Sequence, residues 1–172
     1  MQVRYGPISA IELERSAQLL NKTNQFNTTG RRYAVEELTR LASDALNMAL
    51  QFRLVDRLGD NGLVSVMILQ PGAAGAGEMD IDIWVMSCRV FGRQLEHEVM
   101  NIAVELAREC GTRALTARFV PTERNGVIKR LFADLGFLPA TGHGAAGAQS
   151  WRLDLAAYAP HTTHLQRASA RS

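Results

Sequence analysis

The chain has 172 residues with a hydrophobic content of 47%, which is enough for the core of one domain. Its 19 basic and 17 acidic side chains give a net charge of +2, so we expect neither nucleic acid nor a membrane as partner. The two cysteines, Cys88 and Cys110, lack the pattern of a disulfide framework or a metal site. No signal peptide is evident, and no apolar run approaches the roughly 18 residues that span a bilayer. We expect a cytoplasmic protein with reduced thiols and no metal.

The first 45 residues predict an edge strand at Val3–Tyr5 followed by two helices. Ser9 and Glu12 have the spacing of a capping box for the first helix. The inward face of that helix would carry Ile11, Leu13, Ala17 and Leu20. The second helix would cover about Ala34–Ala45. Between them, the polar stretch Asn21–Gly30 predicts a loop, which either faces a ligand or satisfies its own backbone.

A two-residue period then predicts an antiparallel hairpin. The first strand would be Leu46–Arg57, and its apolar face would carry Met48, Leu50, Phe52 and Leu54. The second strand would be Leu63–Gln70. Asp60–Gly62 predicts the turn between them, because Asn-Gly tolerates the positive φ angles of a type I′ turn. Gly72–Gly77 would be a loop leading into the next strand.

The stretch Asp80–Gly111 predicts a strand, a basic glycine turn and a long amphipathic helix. The strand would place Ile81, Ile83 and Val85 on one face and Asp82, Trp84 and Met86 on the other. After Gly92, one helix face would carry Leu95, Val99, Ile102, Ala103 and Leu106. Gly111 fits the left-handed position after a helix end. Such a turn presents free N–H groups and the positive end of a helix dipole, which suits a phosphate or pyrophosphate.

The rest of the chain predicts a strand at Arg113–Val120 and then a helix over Asn125–Leu135. A short strand-like pair, Phe137-Leu138, and a last strand at Trp151–Leu155 would follow. A glycine–alanine loop would cover Gly142–Ala148. Residues 1–158 would form one domain, and residues 159–172 a flexible tail. The order β-α-α-β-β-β-α-β-α-β-β indicates an α/β (α+β) fold with a mixed central sheet flanked by helices and one parallel crossover.

This order and two motifs resemble the GNAT (GCN5-related N-acetyltransferase) superfamily of acyl-CoA-dependent acyltransferases, over about Met1–Leu155. Arg89–Gln94 resembles the pyrophosphate loop of that family, except that Gln94 stands where the family has glycine or alanine. Asn125 and Leu131–Phe137 resemble the family's asparagine and its Leu-Tyr-x-x-x-Gly-Phe helix ending. The resemblance implies a GNAT-like acyl-CoA N-acyltransferase fold and an acetyl-CoA or acyl-CoA donor.

A narrower resemblance is to the C-terminal, GNAT-like half of FkbH-like proteins. It rests on Asn21–Asn27, Arg31–Tyr33, Asp60–Gly62 and Ser87–Val90. In those proteins a haloacid-dehalogenase-type domain handles a glyceryl phosphate donor for loading a carrier protein in polyketide pathways. No Asp-x-Asp phosphatase motif lies near the start of this chain. The resemblance therefore implies a stand-alone or excised acyltransferase-like module, without the glyceryl chemistry.

The resemblance also assigns residues to the donor. The predicted donor contacts are Met86, Cys88, Arg89, Val90, Phe91, Gly92, Arg93, Gln94, Asn125 and Phe132. The N–H groups of the turn and Arg89 would hold the phosphates, although the same pattern also occurs in an ordinary basic turn. A backbone N–H near Met86–Cys88 would polarise the thioester carbonyl. Phe132 stands where GNAT enzymes often use a tyrosine as general acid, and phenylalanine has no proton to donate.

Two residues are candidates for catalysis. Asp82 lies within an apolar strand, where an aspartate is costly unless it is paired or functional. It is either the general base, with Asp80 and Glu78 as the next candidates, or a surface-facing or salt-bridged strand residue. Cys88, beside an electropositive turn, is either a nucleophile or a small buried hydrophobic residue. The predicted substrate contacts are Asn21, Asn24, Gln25 and Trp84.

The leading functional hypothesis is acyl transfer to an amine or hydroxyl acceptor, in polyketide or related secondary metabolism. The donor would be acetyl-CoA, another acyl thioester, or acyl-phosphopantetheine on a carrier protein. The competing hypothesis is a non-catalytic module that binds a phosphopantetheine arm or a partner domain. Gln94 and Phe132 favour the module, whereas Asp82 and the otherwise complete pyrophosphate loop favour the enzyme. The expected protein partners are an acyl carrier protein and a second copy of the chain.

Overall fold

The computed structural model describes residues 1–73, 75, 77–141 and 147–169. The strands are β1 (Gln2–Pro7), β2 (Met48–Asp56), β3 (Gly59–Pro71), β4 (Glu78–Met86), β5 (Ala114–Phe119), β6 (Leu138–Ala140), β7 (Gln149–Asp154) and β8 (Gln166–Ser169). The helices are α1 (Leu13–Lys22), α2 (Val35–Ser43), α3 (Leu95–Glu109) and α4 (Leu131–Asp134). The predicted element order is confirmed through β7. The predicted helix over Asn125–Leu135 is split into a short 3₁₀ turn at Gly126–Ile128 and α4.

The strands form one mixed sheet in the order β6-β7-β5-β4-β3-β2-β1-β8. Strands β1 to β4 pair antiparallel in sequence order. The crossover through α3 makes β4 and β5 parallel, as predicted, but they pair only over Glu78–Ile81 and Ala114–Ala117. Beyond this short ladder the two strands separate, so an opening lies between their carboxyl ends.

Two apolar cores cover the two faces of the sheet. The larger one includes α3, whose predicted apolar face is confirmed by the burial of Leu95, Val99, Ile102 and Ala103. Gly111 ends this helix with a φ of 78°, as predicted. The smaller core lies under α1 and α2 and includes Leu20 and Leu38. The predicted apolar face of β2 also packs into the larger core.

A β-bulge at Asp82 breaks the predicted alternation of β4. The register passes from Ile68 opposite Ile83 to Leu69 opposite Ile81, which leaves Asp82 as the extra residue. Ile81 therefore packs into the larger core, whereas Ile83 packs into the smaller one. A bulge re-aims the side chains on either side of it, and the alternation in the sequence gives no sign of that change.

The predicted turn at Asp60–Gly62 is wrong. The chain reverses at Arg57 and Leu58, between the end of β2 and the start of β3. The register jumps from Arg53 opposite Leu63 to Val55 opposite Asp60, so Asn61 and Gly62 form a bulge inside β3. The φ of Gly62 is +71°, which means that the Asn-Gly pair serves this bulge and not the turn.

The predicted capping box at Ser9 is also wrong. The Ser9 side chain makes no cap hydrogen bond, and a 3₁₀ turn at Ala10–Glu12 precedes α1. The Glu12 carboxylate instead accepts from Arg53 at 2.6 Å. Ile11, predicted to face inward, is 92% exposed. A long-range ion pair has replaced the local cap.

The predicted tail after residue 158 packs on the domain as far as residue 169. The Tyr158 hydroxyl donates to Asn101 Oδ1 at 2.7 Å, and the Asn101 amide donates to the His161 carbonyl at 2.9 Å. Arg167 pairs with the buried Glu98 of α3. β8 then runs parallel to β1, so β1 is not an edge strand. The low apolar content of this segment predicts a loose tail, but hydrogen bonds and an ion pair to Asn101 and Glu98 of α3 hold it on the domain.

The predicted loop Gly142–Ala148 lies largely outside the described residues, as does part of Gly72–Gly77. None of the described helices is both long and apolar enough to cross a membrane.

Candidate active site

The segment Phe26–Thr28 lies along the carboxyl end of β4. Met86 N–H donates to the Phe26 carbonyl at 3.0 Å, and Thr28 N–H donates to the Trp84 carbonyl at 3.1 Å. Trp84 N–H in turn donates to the Thr28 hydroxyl at 3.0 Å. An antiparallel bridge joins Asn27 to Val85. Part of the predicted loop therefore adds to the sheet.

The same segment also contacts the chain after β5. Val120 N–H donates to the Thr28 carbonyl at 2.9 Å. The fully buried Asn125 donates from Nδ2 to the carbonyls of Asn27 and Val120, both at 2.9 Å. Its Oδ1 accepts from Thr122 N–H at 2.7 Å. Phe26–Thr28 thus fills the opening between β4 and β5, and Asn125, predicted to contact the donor, holds this segment.

Two hollows lie on either side of Phe26. The first, here called the Phe91 hollow, has a volume of about 430 Å³. It is lined by Phe26, Phe91, Gly92, Glu96, His97, Val127, Ile128, Arg130, Leu131, Asp134 and Leu135. The second, here called the Cys88 hollow, has a volume of about 690 Å³. It is lined by Leu19, Lys22, Thr23, Asn24, Gln25, Phe26, Met86, Ser87, Cys88, Glu123 and Arg124.

The turn between β4 and α3 has features of an anion site. Gly92 has a φ of +72°, and no atom lies within 4 Å of the position that a Cβ would occupy. The first hydrogen bond of α3 runs from Glu98 N–H to the Gln94 carbonyl, so the N–H groups of residues 95–97 have no acceptor within the helix. Arg89 is exposed, and its Nε donates to the Ser87 hydroxyl at 3.2 Å. Free N–H groups at a helix start with a nearby cation are the features that bind phosphate in proteins.

Two further residues of the turn, Gln94 and Arg93, have structural roles that are independent of a ligand. Gln94 has a φ of 60°, a left-handed conformation that a glycine adopts at less cost. Arg93 turns away and donates from Nη1 to Asp56 at 2.7 Å. Hydrogen bonds from Asn61, Leu58 N–H and Arg93 lower the pKa of Asp56 to about 2. Arg93 therefore joins the turn to the β2–β3 hairpin, and a contact between Arg93 and the donor would compete with this ion pair.

The other predicted donor contacts divide between the hollows and the core. Met86 and Cys88 line the Cys88 hollow, and Phe91 lines the Phe91 hollow. Val90 is fully buried. Phe132 is also buried, with its ring packed edge-on against Phe137 at 5.1 Å between centroids. The side chains of Val90 and Phe132 have structural positions in the core.

Asp82 is held in a buried network away from both hollows. It is 8% exposed, and its two oxygens accept from Arg31 Nη1 at 3.1 and 3.0 Å. The Tyr33 hydroxyl also donates to Asp82, and Arg31 pairs with Glu37 as well. Burial, followed by the hydrogen bond to Asp82, raises the pKa of Tyr33. This placement matches the salt-bridged strand aspartate that is the alternative to a general base.

The two other carboxylates of β4 also have partners. Asp80 accepts from the Thr116 hydroxyl at 2.8 Å, and burial raises its pKa. Glu78 pairs with Arg152 at 3.3 Å beside a cavity of about 640 Å³ at the opposite end of β4. Arg108 also lines that cavity, where it donates to the carbonyls of residues 155 and 158. We place no site there, because its described cations are engaged by the protein.

Two of the four predicted substrate contacts face a hollow. Asn24 and Gln25 line the Cys88 hollow. Trp84 is fully buried, and its Nε1 donates to the Ser65 hydroxyl at 3.1 Å, so it presents no surface to a substrate. Asn21 exchanges two hydrogen bonds with the backbone of Tyr33, at 2.7 and 2.9 Å. Asn21 and Trp84 therefore shape the scaffold.

The Cys88 hollow also holds residues that the sequence did not indicate. Glu123 is the only carboxylate among its lining residues, and it lies beside Lys22 and Arg124. Asn125 brings Glu123 there through its hydrogen bonds after β5, a long-range effect without a local sequence signal. Cys88 is exposed, so its predicted alternative as a buried hydrophobic residue is wrong. Among the described residues, no cluster of His, Cys, Asp and Glu could hold a metal ion.

The comparisons with known proteins define the fold. No protein-family model matches the sequence, and no curated protein matches it significantly. The GNAT domain of S. lividans PAT is 16% identical, with a TM-score of 0.68 and coverage of 87% of this chain and 89% of that one. Ribosomal-protein-S18-alanine N-acetyltransferase from Escherichia coli is 11% identical, with a TM-score of 0.66 and coverage of 90% and 94%.

A third structure contains a ligand. It is yncA from Salmonella typhimurium with its cofactor acetyl-CoA, 15% identical, with a TM-score of 0.63 and coverage of 94% of this chain and 99% of that one. The chain therefore adopts the acyl-CoA N-acyltransferase (GNAT) fold, as the sequence predicts.

Proposed function

We propose that this protein is an acyltransferase that moves an acyl group from acetyl-CoA, or a related acyl thioester, to an amine or hydroxyl acceptor. The main support is the pair of hollows that share Phe26 in their linings. One borders the open Gly92 turn, and the other contains a carboxylate and a thiol. A group-transfer reaction needs two such sites next to each other.

The Phe91 hollow would hold the donor. Its walls are mainly apolar, which suits the uncharged part of a pantetheine arm. The phosphates would lie outside it, at the N–H groups of Gly92 and the first turn of α3, near Arg89. Arg130 pairs with Asp134 at 3.3 Å, and Glu96 is also in the lining, so the attraction for phosphate comes from the backbone and Arg89.

The Cys88 hollow would hold the acceptor. Asn24 and Gln25 would orient it, and the Glu123 carboxylate would take its proton as the new bond to the carbonyl carbon forms. The carbon–sulfur bond then breaks, and the departing sulfur takes a proton from the Cys88 thiol. Phe132 cannot supply that proton, because it is a buried hydrocarbon. Cys88 and Glu123 regain their starting protonation states through solvent.

A second candidate function is a module that binds a phosphopantetheine arm without transferring the acyl group. It is favoured by two of the three N–H groups in the stretch predicted to polarise the carbonyl, those of Met86 and Ser87, which already have acceptors. Met86 N–H donates to Phe26, and Ser87 N–H donates to the Val64 carbonyl at 2.8 Å. The resemblance to FkbH-like proteins supports a carrier protein as the source of the arm and a role in secondary metabolism.

Titration calorimetry with acetyl-CoA tests the donor site. We expect binding below millimolar, weakened about fivefold in Arg89→Ala through loss of a cation near the phosphates. Arg57→Ala, in the exposed β2–β3 turn, is the matched control and should leave the affinity unchanged. An absence of binding at millimolar acetyl-CoA would contradict the proposal. Binding without release of thiol across a panel of amines and alcohols would favour the module.

A further inference from the structure

The Phe26 ring lies between the two hollows that the proposed reaction must join. Phe26 lines both hollows and is buried. Its ring packs edge-on against Trp84 with centroids 5.1 Å apart, and lies 5.8 Å from the Phe91 ring. Closely packed side chains leave little free space, so we infer that this ring must move before a donor in one hollow and an acceptor in the other reach bonding distance.

The Phe26 carbonyl occupies one of the N–H groups that are predicted to polarise the thioester carbonyl. Met86 N–H donates to it at 3.0 Å, and one N–H cannot polarise a thioester carbonyl at the same time. The next N–H, that of Ser87, donates to Val64 of β3. Releasing Ser87 would break its contact with β3, whereas releasing Met86 requires that Phe26–Thr28 move away from the end of β4.

Asn125 holds this segment from the other side. Its Nδ2 donates to the Asn27 carbonyl at 2.9 Å, and both asparagine side chains are buried. Asn27 in turn accepts at Oδ1 from Gly30 N–H at 2.8 Å. The segment is therefore fastened between β4 and the chain after β5 by a small number of hydrogen bonds, each of modest net strength.

We propose that Phe26–Thr28 is a gate, that Asn125 is its latch, and that this structure shows the closed state. In the open state the Phe26 ring leaves the space between the hollows, and Met86 N–H becomes available to the thioester carbonyl. Asn125 is then a positioning residue, since it acts through the segment and not on the substrate. The inference rests on the proposed function and adds a condition for it.

Amide hydrogen exchange on the full chain tests the gate. Thr28 N–H and Val120 N–H each bond across the gate, to Trp84 and Thr28 respectively. We expect saturating acetyl-CoA to speed exchange at both amides at least tenfold. Gly111 N–H, which bonds to Arg108 at the end of α3, should keep its rate.

Variants separate a gate from a merely structural segment. Phe26→Leu and Asn125→Ala loosen the closed state, so each should bind acetyl-CoA roughly five- to tenfold more tightly than wild type. The control is Phe52→Leu on β2, where the Phe52 ring stacks on Tyr5 of β1. This variant should lower stability without changing the affinity for acetyl-CoA. A purely structural role would make the two gate variants bind more weakly.

Acetyl-CoA binding and amide exchange together separate a failure of the gate from a failure of the proposed function. If acetyl-CoA binds wild type but leaves exchange at Thr28 and Val120 unchanged, the gate is wrong and the proposed function stands. The gate is also wrong if Phe26→Leu and Asn125→Ala bind acetyl-CoA no more tightly than wild type. If acetyl-CoA binds neither wild type nor either gate variant, the gate and the proposed function both fail.

Discussion

The two hollows beside Phe26 differ in chemistry. The Phe91 hollow has mainly apolar walls and borders the amino-terminal end of α3. Most residues that line the Cys88 hollow have polar side chains, and they include a carboxylate, a thiol and two cations. The difference indicates a division of work, in which one side binds the donor and the other performs the proton transfers. Changes in the two hollows should therefore affect affinity and turnover separately.

The carboxylates Asp82 and Glu123 differ in whether an acceptor can reach them. Asp82 has the sequence context expected of a catalytic base, but its oxygens are occupied by Arg31 and Tyr33. Glu123 has an inconspicuous sequence context, but its position in the Cys88 hollow allows contact with a substrate. Accessibility to an acceptor, more than burial within a strand, decides which of them can act as a base.

Glu123→Gln should give the largest change in turnover. Loss of the base should lower kcat about a hundredfold, while the affinity for acetyl-CoA stays within about twofold of wild type. Steady-state kinetics with calorimetry checks both values. Glu14→Gln, an exposed position on α1, is the control and should leave kcat unchanged. A Glu123→Gln variant with full kcat would remove Glu123 from the mechanism.

Asp82→Asn should affect stability and not turnover. Arg31 and Tyr33 would lose a charged acceptor, which we expect to lower the free energy of unfolding by about 2 kcal/mol, a modest loss because Arg31 is partly exposed. Chemical denaturation measures this loss, and kcat should remain within about twofold. A fall in kcat of more than about tenfold with normal stability would restore Asp82 as the base.

Cys88→Ala tests the return of the proton to sulfur. Removing the thiol should lower kcat about tenfold, because solvent would then have to supply the proton to the departing sulfur. The measurement is thiol release under saturating donor. Cys110→Ala removes the other exposed thiol and should leave the rate unchanged. Equal rates in the two variants would exclude Cys88 as a proton donor.

The Asp82 network should also make stability depend on alkaline pH. The pKa of Tyr33 is raised above the ordinary value of 10.0, so the unfolded chain ionises first. The stabilisation is therefore complete below pH 10 and is lost as pH rises further, by roughly 0.8 kcal/mol at pH 10.5. Tyr33→Phe should remove this part of the slope in denaturation curves. Tyr158→Phe is the matched variant, because burial raises its pKa as well.

An unchanged alkaline slope in Tyr33→Phe would show that the hydroxyl ionises as easily in the folded protein as in the unfolded chain. The role of Asp82 as a buried acceptor would then be wrong.

The features that follow from local periodicity could be predicted from the sequence. The face of α3, the Gly111 helix end and the β4–turn–α3 unit depend on neighbours within a few residues, and the motifs in them indicated the fold. The bulge at Asp82 could not be predicted, because a local change of register leaves the composition of the strand unchanged. The docking of residues 159–169 was also missed, because it depends on Glu98 and Asn101 on α3.

The candidate site was only partly predictable, because several of its residues are positioned by contacts between distant parts of the chain. Phe26 and Met86 are joined by a backbone hydrogen bond, to which side-chain identity gives no signal. Glu123 reaches the Cys88 hollow through contacts between Asn125 and Asn27, which are far apart in the chain. Residues near the turn, such as Cys88 and Gly92, were found because the turn itself is a local motif.

An amide chemical-shift titration of the protein with acetyl-CoA tests the donor site and the gate together. We expect the largest changes at Gly92 and residues 95–97, where the phosphates would bind, with a separate change at Met86 as the gate opens. Shifts at millimolar acetyl-CoA that are absent, or confined to residues outside the turn and the two hollows, would contradict the proposed donor site and the gate.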